Sequence, residues 1–117
     1  MNAIRDSSGT VVGWILQNVV IDLDGNPIAI LSGDQVVKFS GEQVATFNDG
    51  YFRRPDGYVI AFVSGARHGP ALPGLRAEPP YPQVKATPVF PVVPVAYLHE
   101  PYRRQWSVTR FARLFSD

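Results

Sequence analysis

One interval constrains this chain more than its composition does. Gly9, Gly25, Gly41 and Gly57 each lie sixteen residues apart, and the residues around them align in columns. Before each glycine stands a small polar residue (Ser8, Asp24, Ser40, Asp56) of a kind that hydrogen-bonds its own turn backbone. Three positions after it comes a β-branched residue (Val12, Ile28, Val44, Ile60), then a small one (Gly13, Ala29, Ala45, Ala61). Trp14, Ile30, Thr46 and Phe62 follow, and after them Ile15, Leu31, Phe47 and Val63. Each unit breaks again at LQN (16–18), SGD (32–34), NDG (48–50) or SGA (64–66), where Gly and Asn tolerate the positive φ of a hairpin turn.

A unit therefore reads as strand, tight turn, second strand and glycine turn. β-branched and aromatic residues fill its strands. The fourth unit has RHG where the others continue a strand, so its second strand is expected to be lost or diverted. One hairpin is barely stable in water, so four must share a core. The small column marks where backbones converge on a central axis. Strict alternation would put the Val/Ile and Trp/Ile/Thr/Phe columns together on the opposite face. The fold class expected is all-β: four consecutive antiparallel hairpins about a pseudo-four-fold axis. The run DLDG at 22–25 belongs to the turn column, not to a calcium loop, because it lacks the downstream ligands of one.

These columns, with DLDGNPIAIL, FNDGYF and DGYVIAFVSGA, resemble the bacterial four-fold β-flower domain. The resemblance rests on residues 4–66 and extends to a Pro-rich trailing segment and a terminal WS followed by a short helix. It implies a fold, and it brings no catalytic residues to carry over.

After Ala66 the pattern changes. Nine of the eleven prolines lie between Pro70 and Pro101, many at the three-residue spacing of polyproline II. The proline spacing also invites a docking-peptide reading, as for an SH3 ligand, but the apolar residues of PVFPVVPVAYL better suit a strap lying on the core, packed within its own subunit or exchanged with another. The chain is read as one domain, 1–117, with repeats over 4–66, the strap over 67–105 and a short amphipathic helix over 106–117. Ser107 is placed to N-cap that helix, with Val108, Phe111 and Phe115 at helical spacing and Arg110 and Arg113 on the polar side.

Chemistry is sparse. The chain has no cysteine, which removes disulfides and thiolate metal sites. His68 and His99 lack metal-ligand or catalytic spacing, and there is neither a Walker loop nor a G-x-S-x-G elbow. Asp49 is the one acid flanked by aromatics, and it reads as a turn residue. No catalytic, cofactor-binding or metal residue is assigned, and no cofactor is expected. Net charge is +1, with −3 on residues 1–66 and +4 on 67–117, which argues against a nucleic-acid partner. No apolar run is long enough to span a membrane, and no secretory leader is visible; a cytoplasmic location is the expectation.

The remaining signal is Arg mixed with aromatics, a composition enriched at interface hot spots. The interface candidates are Tyr51, Phe52, Arg53, Arg54, Tyr58, Tyr102, Arg103, Arg104 and Trp106. The expected function is a non-enzymatic binding or assembly module, associating with itself or with a protein of a larger bacterial or phage complex. The alternative is a small-molecule-binding protein or cryptic hydrolase with a site near the centre of the repeats or beside His68. A pocket joining His68 or His99 to a carboxylate would favour it.

Overall fold

The structure, a computed structural model, describes residues 1–116. Eight antiparallel strands close into a barrel: β1 (Asn2–Arg5), β2 (Val11–Leu16), β3 (Val19–Asp22), β4 (Pro27–Ser32), β5 (Gln35–Lys38), β6 (Gln43–Asn48), β7 (Tyr51–Arg53) and β8 (Val59–Phe62). Two equal extents of 36 Å and a third of 23 Å fit four-fold repetition about the short axis. The missing second strand of the fourth unit is supplied from the other end of the chain. β1 pairs with β8 through Arg5 and Phe62, so the N-terminal strand completes the last hairpin and closes the ring.

All four glycine turns have one geometry. Each glycine amide donates to the carbonyl three residues back, at 2.8–3.1 Å, and each glycine has φ between 81° and 95°. In the first two units the capping carboxylate comes from Asp6 and Asp22 and accepts the amides of residues 8 and 10, and 24 and 26. Asp24 donates its amide there instead of capping, whereas in the fourth unit Asp56 does cap, accepting the Tyr58 amide. DLDG is a turn with its carboxylate already occupied.

Strict alternation fails at one point in every unit. Ile4 pairs with Gly13 but Arg5 with Val11, and the same slip recurs at Val20/Ile21, Val36/Val37 and Phe52/Arg53. The extra residue is Val12, Ile28, Val44 or Ile60, so the β-branched column is a column of β-bulges. These residues pack against the axial core with Ala29, Ala45, Ala61 and Phe111, and do not join the Trp14 column outside. The small column does line the axis: all three alanines are fully buried.

From Pro70 the strap runs once around the outside of the barrel, passing the glycine turns in chain order. Gly74, Gln83, Val92 and Pro101 face Gly9, Gly25, Gly41 and Gly57, so nine residues of strap match each sixteen of barrel. Arg76, Lys85 and Arg103 donate their amides to the carbonyls of Gly9, Gly25 and Gly57 at 3.2, 2.9 and 3.1 Å. The residue in register on the third pass is Pro94, which has no N–H to donate. The gap opens accordingly. A Cβ on Gly9, Gly25 or Gly57 would lie 2.0–2.1 Å from a strap carbonyl oxygen, but on Gly41 the nearest atom would be 3.9 Å away.

After the strap, Val59 exchanges backbone bonds with Gln105 and Ser107, seating Trp106 edge-on against Tyr51 and Phe62. The terminal helix is shorter than the sequence predicts. It is a 3-10 helix over Phe111–Phe115 with no side-chain cap, and Ser107 accepts the Thr109 amide in a separate turn. Phe111 plugs the barrel against Phe52, at 5.5 Å between ring centres, while Val108 is fully exposed. Asp117, the last residue of the expected helix, lies outside the described residues.

Candidate functional site

Most of the Arg/aromatic set is spent inside the chain. Tyr51 and Phe52 are buried; the Tyr51 hydroxyl donates to Pro70 O at 2.7 Å, and Phe52 sits in the axial core. Arg53, also buried, donates to Gly57 O (2.9 Å), Arg103 O (2.6 Å) and His68 O (3.2 Å), and its guanidinium lies 4.5 Å from the centre of the Tyr102 ring. Burial pulls the Arg53 pKa down, opposed by Tyr102, Tyr51 and Asp49. Arg5 repeats this arrangement in the first unit, donating to Gly9 O (2.8 Å) and Arg76 O (2.7 Å). These arginines staple the strap to the barrel and present no surface to a partner.

The others cover the fourth pass. Arg54 donates to the Thr109 hydroxyl and lies 3.7 Å from Asp56. Arg103 stacks on Tyr58 at 4.9 Å, Tyr102 lies parallel to His99 at 4.7 Å, and Trp106 is half-buried. Arg104 is exposed. His68 Nδ1 meets Asp49 Oδ2 at 3.0 Å, but on the outside of the molecule, with the two side chains 70% and 49% exposed. There it links the start of the strap to a barrel turn. A general base standing in water gains nothing from a dry, preorganised site.

The surface that stands out is the third pass. Val89, Val92, Val95 and Leu98 recur every third residue and are 91%, 90%, 95% and 99% exposed. Pro91, Pro94 and Tyr97, two residues on from Val89, Val92 and Val95, are half-buried against the barrel. A three-residue period of exposure is that of polyproline II, so one edge of the strap is an apolar ridge. At about 3.1 Å per residue it runs some 28 Å. Phe90 extends it, 54% exposed, with its ring 6.3 Å from that of Phe39. The sequence reading laid these apolar residues on the core; the structure turns four of them outward, because the prolines and Tyr97 take the inward edge.

Beneath the same pass, Gln35 Nε2 donates to Pro94 O at 3.1 Å, and Tyr97 N donates to Gln43 Oε1 at 2.9 Å. Between these two glutamine contacts lies a cavity of about 360 Å³, lined by Gln35, Thr46, Tyr97 and His99 with Asp34 among its walls. The barrel axis itself is filled by Phe52, Phe111 and the alanine column. A broad cleft of about 840 Å³ lies beside the plug, where Asp6 and Ser107 are already engaged in turns.

A sequence model described as "4-fold beta flower protein" matches residues 2–115. The chain belongs to that family. The match takes in strap and plug along with the barrel, so the β-flower unit includes the segment that encircles it. No curated protein and no solved structure matches the chain. Among the described residues, no helix of this β-flower protein is long and apolar enough to cross a membrane.

Neither the ridge nor the cavity was singled out from the sequence. The three-residue spacing of Val89, Val92, Val95 and Leu98 was there to read, but spacing alone does not say which edge meets the barrel. Thr46 carried a second signal, as the one hydroxyl in a column otherwise filled by Trp14, Ile30 and Phe62.

Proposed function

We propose that this β-flower protein is a non-enzymatic binding or assembly module whose working surface is the ridge Val89–Val92–Val95–Leu98. The observation that supports this reading is four aliphatic side chains, each at least 90% exposed, along one edge of an extended segment. A contiguous apolar strip held in water by a folded scaffold is a feature of interaction sites. Polyproline II is already ordered before binding, so docking it into an apolar groove on another protein costs little chain entropy. The barrel holds the ridge in place through Gln35 and Gln43.

The test is the triple variant Val92→Glu, Val95→Glu, Leu98→Glu, examined by native mass spectrometry, light scattering and crosslinking. These side chains touch little, so the variant folds and melts close to wild type. Wild type should associate, with itself or with a captured protein, and the variant should bind at least about a hundredfold more weakly, since each buried aliphatic is worth about 1.5–3 kcal/mol. A wild type that stays monomeric and captures nothing, or a variant that associates unchanged, contradicts the reading. The small-molecule alternative draws support from a different feature, the broad cleft beside the plug.

A further inference from the structure

The four-fold repeat makes four equivalent sectors at the glycine-turn end of the barrel, and one short plug roofs them. Phe111 fills the centre against Phe52. Beyond it Leu114 lies toward the third unit, with Gln43 and Val44, and Phe115 toward the second, with Ile28. The chain that enters the plug is held at the fourth unit, by the bonds of Val59 to Gln105 and Ser107 and by Arg54 to the Thr109 hydroxyl. Five residues of 3-10 helix rise only about 10 Å, too little to roof every sector of a molecule 36 Å across. The first unit's sector stays open. There the cleft of about 840 Å³ lies between the Asp6–Ser7 turn, Leu23 and the chain over 106–112.

That volume falls within the range of small-molecule sites, about 300–1,000 Å³. The cavity under the third pass has orphan polar atoms sealed from solvent, whereas the side chains of this cleft are open to it. Leu23 is 47% exposed and Val108 fully exposed, and behind them stand the better-buried Val12, Ile60 and Phe111. Arg110, exposed on the same wall, has no hydrogen bond, ion pair or ring contact for its guanidinium among the described residues. The acid in the wall, Asp6, is spent on its turn: its Oδ1 accepts the Ser8 and Thr10 amides and the Ser8 hydroxyl. The cleft therefore offers aliphatic walls and one unpaired cation.

We propose that this cleft binds a medium-chain fatty acid, with its carboxylate on Arg110 and its alkyl chain against Val12, Leu23 and Val108. A guanidinium pairs with a carboxylate through two parallel hydrogen bonds. Arg110 is exposed, so that pair adds modest affinity and the buried chain supplies the rest. Trp106 already packs edge-on against Tyr51 and Phe62, and Phe111 against Phe52 and Phe115, so the wall left for a ligand suits a flexible chain better than a stacked ring. The C-terminus of a peptide would bring amides that aliphatic walls leave unpaired, at a desolvation cost. The cleft shares no lining residue with the ridge, so either site can fail alone.

The experiment is an ¹⁵N-correlation titration of the full chain with octanoate, decanoate, octan-1-ol, octylammonium and acetate, each alone and below its micelle concentration. Octanoate should give saturable shifts at the Trp106 indole N–H and the backbone amides of Leu23, Val108 and Arg110. Decanoate should bind about tenfold tighter, since each buried methylene is worth about fourfold. Octan-1-ol should bind about three- to tenfold more weakly than octanoate, and acetate and octylammonium should not saturate. Arg110→Gln and Val108→Ser change exposed side chains, so both should melt close to wild type. The first should bring octanoate and octan-1-ol within about twofold of each other, and the second should weaken both severalfold. The triple ridge variant should bind octanoate unchanged. The proposal is overturned if neither acid saturates, if octylammonium or N-acetyl-leucyl-leucine binds as tightly as octanoate, or if Arg110→Gln keeps the full preference for the acid. It is equally overturned if the shifts centre on Val92, Val95 and Leu98 and vanish in the ridge variant.

Discussion

The first and fourth passes of the strap differ from the third in what holds them. At Gly9 and Gly57 a strap amide bonds the turn carbonyl, a strap carbonyl lies against the glycine, and a buried arginine bonds the turn carbonyl together with the strap carbonyl two residues further on, Arg76 O or Arg103 O. At Gly41 the amide is replaced by Pro94, and the arginine position is occupied by Val37. Two glutamine side chains hold the strap there instead. The tight passes flank the seam where β1 meets β8, so they fasten the chain where the ring closes. The loose pass is free to carry a cavity on its inner side and an apolar ridge on its outer side. Repetition fixes the fold, and the departure from repetition marks where function is to be sought.

The largest effect should come from testing that difference at the glycines. Gly57→Ala combines a φ of +86° with a Cβ 2.1 Å from Pro101 O, and should cost about 3–5 kcal/mol in urea denaturation. Gly41→Ala meets no close atom, and should cost only the left-handed strain, about 1–2 kcal/mol. Equal losses would erase the distinction between passes.

Next come the arginine staples. Arg53→Met strips donors from three carbonyls and should cost about 3 kcal/mol, while Arg5→Met, with two carbonyls and a partly exposed Glu78, should cost about 2 kcal/mol. Proteolysis should then nick the strap near its start and end first. A variant as stable as wild type would mean the staples only decorate the seam.

The smallest effect concerns pH. Burial raises the phenol pKa of Tyr51, Tyr97 and Tyr102 above the ordinary 10.0, with Arg53 opposing at Tyr51 and Tyr102. A folded-state pKa above the unfolded one means the native state holds the proton longer. The stabilisation is therefore complete below pH 10.0 and is lost as pH rises through the raised values. Tyr51→Phe should lose about 1 kcal/mol at neutral pH with its bond to Pro70 O, and should show a shallower alkaline decline. An equally steep decline would place the titration elsewhere.

Much of the barrel was legible because a sixteen-residue period forces equivalent turns and a shared axis. The bulge was not, since one inserted residue per unit preserves the period while reversing which face Val12, Ile28, Val44 and Ile60 present. Closure by β1 was half legible: RHG announced a missing strand without saying that residues 2–5 replace it. The nine-residue period of the strap was hidden because its repeating element is a backbone carbonyl against a glycine, which any side chain can supply. Tyr51, Phe52 and Arg53 misled because Arg beside aromatics is as useful for stapling a strap as for binding a partner. The third pass needed the structure, since only the bond from Gln35 to Pro94 O decides which edge faces out.

Native-state hydrogen exchange tests the central claim most directly. The amides of Arg76, Lys85 and Arg103 should exchange only through opening of the strap as a whole, with matched protection. Those of Val92, Val93 and Val95, which find no protein acceptor among the described residues, should exchange at rates close to those of an open chain. Uniform protection along residues 74–103, or rapid exchange at Arg76 and Arg103, would show that the strap is not pinned at its ends and relaxed at its third pass.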